Sequence, residues 1–177
     1  MVLKSQPVYS RESLEAELAG LYGEYYDKIA HYASAHIGNK TDAEDIAGEV
    51  FLKALESLGS YEKRRNIPMQ AWLFKIAHNL VVDYLRKMSK RKTVDIDSVT
   101  VGSNESPEEV AEVNIEVERV KKAMEQLTRE QKEVISLRFF GELTSKETAS
   151  IMGKSDGAVR EMQRAATSKL RVLLATD

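Results

Sequence analysis

TSKETASIMGKSDGAVREMQRAATSKL, residues 144–170, is the stretch that decides the fold. Thr144-Ser145-Lys146-Glu147 fits a capping box, in which a Thr side chain and a Glu three residues on satisfy each other's backbone amides. A short helix, Ser145–Met152, then meets Gly153-Lys154-Ser155, and a second helix runs from Asp156 to Ala175. Helix, three-residue turn containing Gly, and helix make a helix-turn-helix pattern. Ala149 is small where the two helices approach. Ile151, Val159, Met162, Ala166, Leu170 and Leu173 form the apolar stripe that packs the second helix down. Ser155 suits its cap, and the opposite face carries Arg160, Gln163, Arg164 and Lys169. Arginines there can reach guanine edges in the major groove, while amides and cations hold phosphates. The plainer alternative is a helical hairpin with a solvated basic face.

Working outward, the rest of the chain is also helical. Apolar residues recur at spacings of three and four, and no sustained alternation marks a strand. Further capping boxes are expected at Thr41, Ser106 and Thr128. Pro107 suits the first helical position after Ser106. Helices are expected over about 11–37, 42–57, 69–91, 107–126, 129–140, 145–152 and 156–175. Gly38-Asn39 ends the first, and Leu58-Gly59-Ser60 ends the second. Tyr61–Pro68 is expected to be a basic loop, and Thr93–Glu105 an interdomain linker poor in amphipathic pattern. The reading is an all-α protein of two small helical domains.

Charge divides the 177 residues in the same way. Residues 1–92 carry 14 Lys/Arg against 12 Asp/Glu. Residues 93–118 carry eight acids and no base, and residues 119–174 carry 12 bases against seven acids. Two weakly basic modules joined by an acidic connector lie behind a net charge of −2. That near-neutral total argues against coating nucleic acid by charge alone. There is no cysteine, which excludes disulfides and thiolate zinc sites. Residues 1–10 hold no apolar run of signal-peptide length, and no stretch reaches the roughly 20 apolar residues of a membrane helix. A cytoplasmic location is expected.

The N-terminal module has its own motif, residues 42–54, DAEDIAGEVFLKA. Ile46, Val50, Phe51 and Ala54 face a core, while Asp42, Glu44, Asp45 and Glu49 point outward. Three uses are open: an acid–base or metal site, a solvated acidic face stabilised by the helix dipole, or a docking face for a basic partner. Downstream lie Tyr61, Lys63, Arg64, Arg65, Asn66, Trp72, Lys75, Asn79 and Arg86, ending in Lys90-Arg91-Lys92. Aromatics interleaved with bases suit single-stranded nucleic acid. Trp72, Leu73, Ile76, Leu80 and Tyr84 equally suit plain core at helical spacing.

Residues 42–54 followed by AWLFKIAHN at 71–79, Asp83 and Arg86 resemble region 2 of the extracytoplasmic-function (ECF) sigma factors of bacterial RNA polymerase. LTREQ at 127–131, LRFFGEL at 137–143 and the helix-turn-helix resemble region 4. The likeness covers about residues 14–92 and 117–174. It implies region 2 over 10–92, an acidic linker over 93–116 and region 4 over 117–175. Asp42, Glu44, Asp45, Glu49 and Phe51 would dock on the clamp helices of the largest polymerase subunit. Tyr61, Arg64, Arg65, Asn66, Trp72, Lys75, Asn79 and Arg86 would meet the −10 element and capture a flipped base. Ser155, Arg160, Glu161, Gln163, Arg164 and Lys169 would meet the −35 element. Partners implied are core polymerase, including its flap through region 4, promoter DNA and an anti-sigma factor. No cofactor, metal or catalytic residue is implied. Gly48 stands where the family commonly has Gln, and Glu161 and Ala165 depart from the usual recognition helix. The rivals are a helix-turn-helix repressor or adaptor without polymerase affinity, and an enzyme using Asp27 and His31, one helical turn apart.

Overall fold

The computed structural model describes residues 10–63, 67–94 and 114–175. All elements within them are helices: α1 (Arg11–Ile37), α2 (Lys40–Glu56), α3 (Leu58–Lys63), α4 (Met69–Val94), α5 (Asn114–Glu125), α6 (Arg129–Phe139), α7 (Ser145–Met152) and α8 (Asp156–Ala175). The expected linker and the Ser106 capping box lie outside the described residues.

Helix ends follow local chemistry. The Thr128 and Thr144 capping boxes both form in full. Ser10 caps α1, and Ser155 accepts from the Ala158 amide at the start of α8. Gly38 and Gly153 close α1 and α7 in the left-handed conformation, at φ 72° and 64°, which glycine adopts without a Cβ penalty. The expected Thr41 cap does not form. Asn39 accepts from the Asp42 amide instead, so α2 begins at Lys40. Asn is as good a cap as Thr and sits two residues earlier, just past the Gly38 turn. The expected break at 58–60 is also corrected. Gly59 lies inside the short helix α3, which carries Tyr61 with it and shortens the loop.

α1 packs on α2 and α4, building the N-terminal module. Its core includes Tyr32, Phe74, Leu14, Ile29, Leu73, Val50 and Val81, all essentially inaccessible. Phe74 meets Tyr25 and Tyr32 edge-on, the arrangement that aromatic quadrupoles favour. In the C-terminal module α8 packs on α5, α6 and α7. The two modules touch: α6 lies on α1, and α7 on α4.

Candidate polymerase and nucleic-acid surfaces

On α2 the acidic face forms as expected, with two corrections. Glu44, Asp45 and Glu49 are exposed, and Glu49 pairs loosely with Lys53 at 3.5 Å. Asp42 turns inward and accepts from the Tyr84 hydroxyl at 2.5 Å. That bond, with burial, pushes the Tyr84 phenol up to about 12. Phe51 is 7% exposed and meets Tyr22 edge-on, so it belongs to the core, as its spacing predicts, and not to the docking surface that the resemblance implies. The apolar part of the face comes from two residues that sequence reasoning missed. Leu52 and Leu55 are 63% and 43% exposed. Asp45, Glu49, Leu52 and Leu55 follow at spacings of four, three and three, which places them on one side of the helix. The signal was available: both leucines fall off the stripe that Ile46, Val50 and Ala54 define. Side by side, acids and leucines can bind a partner that offers cations around apolar side chains.

The second set surrounds the start of α4. Tyr61 is buried, stacks on Trp72 at 4.7 Å between ring centroids, and donates to the Ile67 carbonyl at 3.1 Å. Its ring is therefore covered by protein rather than offered to a base. A cleft of about 410 Å³ opens beside this pair, lined by Glu17, Leu21, Ile67, Pro68, Met69 and Gln70 along with Tyr61. Trp72 is half-buried, while Lys75, Asn79 and Arg86 are exposed. These three recur at spacings of four and seven, one stripe along α4. Arg86 pairs with Asp83 at 2.9 Å. Arg64, Arg65 and Asn66 lie outside the described residues.

The third set sits on α8. Arg160, Glu161 and Arg164 project into solvent. Each arginine is paired along the helix, Arg160 with Asp156 and Arg164 with Glu161. The Arg160 hydrogen bond, then one from Ser145, holds the Asp156 carboxyl below its usual range. Ser155 is exposed beside them as the helix cap. Two of the residues expected at the −35 element are engaged by protein partners. The Gln163 carboxamide oxygen accepts from Arg138 Nε at 3.0 Å, which ties α8 to α6. Lys169 donates to the Gln126 carbonyl, which ties α8 to the end of α5. Of the six expected residues, Ser155, Arg160, Glu161 and Arg164 remain exposed, at the cap and over the first three turns of α8.

A further group sits between the modules, and no local pattern announced it. Glu133 of α6 is buried against α1 and α4. It accepts from the Tyr32 hydroxyl at 2.7 Å and meets His78 Nδ1 at 2.9 Å. His36 Nε2 stands 3.4 Å from its other oxygen without hydrogen-bond alignment. Burial alone would raise the Glu133 carboxyl. The hydrogen bond from His78, His36 beside it and the Tyr32 hydroxyl outweigh burial and hold it below its usual value. Burial pushes His36 down and Tyr32 well up. Glu133 is the anion of the cluster; Tyr32 and His78 are its hydrogen-bond partners, and His36 stands beside it. Asp27 and His31 form no site: Asp27 is exposed and His31 stacks on Phe140. Among the described residues no group of three such side chains has metal-holding geometry. No helix among them is long and apolar enough to cross a membrane.

Known proteins share this layout. The Sigma-70 region 2 family matches residues 21–91, and the Sigma-70 region 4 family matches residues 123–172. The ECF RNA polymerase sigma factor BldN of Streptomyces coelicolor is 34% identical over 92% of this chain, which spans 62% of BldN's length. The ECF RNA polymerase sigma factor ShbA of Streptomyces griseus is 35% identical over 73% of this chain and 70% of its own. The sigma factor RpoE of Bartonella quintana, solved with the anti-sigma factor NepR, has the same fold. It gives a TM-score of 0.73 over 91% of this chain and 98% of its own, at 24% identity. With a region 2 module carrying an acid-and-leucine helix and a region 4 module carrying a helix-turn-helix, the chain belongs to the extracytoplasmic-function sigma factors of the sigma-70 family.

Proposed function

We propose that the chain binds core RNA polymerase and directs it to a class of promoters, with residues 10–92 as the docking and −10 module, 93–116 as linker and 117–175 as the −35 module. The observation that carries this reading is the pairing of two unlike surfaces in one chain. One is acidic and apolar, built from Glu44, Asp45, Glu49, Leu52 and Leu55, and suits a protein partner. The other is the arginine-bearing start of α8, which suits the major groove. Charged residues ring a small apolar centre on α2, as in interfaces where the centre supplies affinity and the rim supplies register. A repressor without polymerase affinity leaves that α2 face without an occupant.

At the −10 element, the Lys75, Asn79 and Arg86 stripe follows the phosphates of the unpaired strand. The cleft beside Tyr61 and Trp72 receives an unstacked base. Unstacking costs a few kcal/mol, so capture depends on polymerase presenting an opening duplex. Ser155, Arg160, Glu161 and Arg164 meet the −35 element, while Gln163 and Lys169 hold α8 in place for them. An anti-sigma factor and a cytoplasmic location complete the reading. Run-off transcription with core polymerase on a promoter library tests it. Start-site selection that appears only when the chain is added is the expected result. No selection on any promoter, or no co-purification with core enzyme, ends the proposal.

A further inference from the structure

The cleft beside Tyr61 and Trp72 carries an acid, although the strand it would receive is a polyanion. α1 contributes Glu17 and Leu21, one helical turn apart and hence on one side of the helix. α4 contributes Met69 and Gln70 from its first turn. Tyr61 and Ile67 add apolar surface. Tyr61 directs its hydroxyl proton at the Ile67 carbonyl, so its ring forms wall rather than reading group. Met69 is buried beneath, whereas Glu17 is exposed and Gln70 half-buried. Both of these polar side chains can therefore reach a molecule that enters from solvent. The cleft's volume of about 410 Å³ lies within the ~300–1,000 Å³ of sites that hold small planar ligands.

The position of the acid is informative because the cations lie apart from it. Lys75 and Arg86 stand on the exposed α4 stripe, and neither lines the cleft. A carboxylate in the path of the sugar-phosphate backbone would weaken binding to every sequence alike. Against the edge of a base it discriminates instead, because base contacts carry sequence and phosphate contacts do not.

Hydrogen-bond chemistry says which bases it favours. An ionised carboxylate only accepts, while a carboxamide both donates and accepts. On the edge freed by unpairing, adenine offers its N6 amine and cytosine its N4 amine. Guanine offers N1–H beside its N2 amine. Each also carries an acceptor for the Gln70 amide. Thymine offers a single N3–H set between two carbonyl oxygens, and a carboxylate meets those oxygens with repulsion. A site built for a donor rejects a ligand that lacks it, because its own polar group is then left unpaired.

We propose that Glu17 is a specificity-determining residue of the −10 cleft: its carboxylate accepts from the exocyclic amine of the unstacked base, with Gln70 completing the contact, so that the cleft takes adenine, cytosine or guanine and rejects thymine. The inference rests on the proposed function, which brings the unpaired strand to this cleft. It adds the class of base and the residue that selects it.

The test uses full-length chain with core polymerase in run-off transcription, on promoters in which each position of the −10 element is varied singly on the non-template strand. The unsubstituted chain should show one position where thymine is disfavoured at least tenfold against the best amine-bearing base. Purine, 2-pyrimidinone or inosine, which lack the amines of adenine, cytosine and guanine, should lose activity at that position as thymine does. Glu17→Gln, which keeps shape and gains a donor, should shrink the discrimination there to threefold or less, with helical circular dichroism and co-purification with core enzyme unchanged. Glu12→Gln removes an exposed acid from the same helix outside the cleft and should leave the preference as it was. Identical base preferences in the Glu17→Gln and unsubstituted chains overturn the inference. So does a gain spread evenly over all positions, which would mean that Glu17 acts on phosphates. If the unsubstituted chain selects no start site at all, the proposed function itself has failed and the inference falls with it. Selection that persists without any response to Glu17 ends the inference alone.

Discussion

The two modules bury apolar side chains on very different scales. The region 2 module has a large core of its own, spread over four helices and anchored by Tyr32, Phe74, Leu14 and Ile29. The separate core of the region 4 module is Val134, Ala149 and Val159, with Met152 and Met162 at its edge. Its two fully buried leucines, Leu137 and Leu143, belong to the other module's core. A small domain buries a smaller share of its surface than a large one and is correspondingly marginal. The region 4 module meets that limit with capped helices and with ties such as Arg138 to Gln163 and Lys169 to Gln126. One module can afford to be a rigid platform; the other is assembled from short elements and leans on its neighbour.

That contrast can be broken most directly at Phe74. Phe74→Ala should cost about 3–5 kcal/mol, since the ring is fully buried. The loss should reach both modules, because the ring also backs the Gly141 turn. Calorimetry that showed region 4 melting unchanged would refute the dependence of one module on the other. Next in size, Arg160→Ala should weaken promoter-fragment binding about tenfold, in the range of one lost bidentate base contact, with core polymerase affinity intact. Equal losses in both assays would mean that the two surfaces are not independent. Smaller still, Thr144→Ala should destabilise by about 1 kcal/mol through loss of the α7 cap. Asn39→Ala removes a similar cap from the larger module. Comparing thermal midpoints of the pair shows whether the small module has less stability to spare.

The last expectation concerns pH. His36 has a depressed pKa while the modules are in contact because burial disfavours its cation. It therefore binds a proton more readily once the modules part. The contribution of His36 to the contact between the modules is fully present above the ordinary imidazole value of 6.5 and is lost as pH falls below it toward the depressed value. Glu133, also depressed, adds a second loss at lower pH, as the solution falls below the ordinary carboxylate value of 4.5 and through its folded one. Scattering measured from pH 7.5 downward should show expansion in that order. Contraction on acidification would contradict the assignment of His36 as the neutral partner.

Most of the helices could be read from the sequence because spacing and capping are local. Thr128, Thr144, Gly38 and Gly153 act within one turn of themselves, and each behaves as its neighbours dictate. The start of α2 was misplaced because Asn39 and Thr41 compete for one role and only geometry chooses. Site residues were legible by type and less so by direction. Arg160, Arg164, Glu44, Asp45 and Glu49 are exposed as expected. Phe51 is buried, as its spacing predicts, while Tyr61, Asp42, Gln163 and Lys169 are held by protein partners 6 to 43 positions away in sequence. Glu133 was invisible, because the residues that satisfy it lie 55 and 101 positions upstream. No periodicity within α6 encodes them.

The intrahelical pairing on α8 bears on how promoter binding would respond to ionic strength. In the proposed reading, Arg160 and Arg164 would come to DNA already partnered by Asp156 and Glu161. Binding then exchanges one anion for another at these guanidiniums, and the displaced carboxylates stand close to the phosphates. Fewer condensed counterions leave the duplex, net, than a tally of cations on this helix would suggest. The grip of the recognition helix should therefore fade only gently as salt rises, leaving sequence rather than bulk charge to decide where it settles.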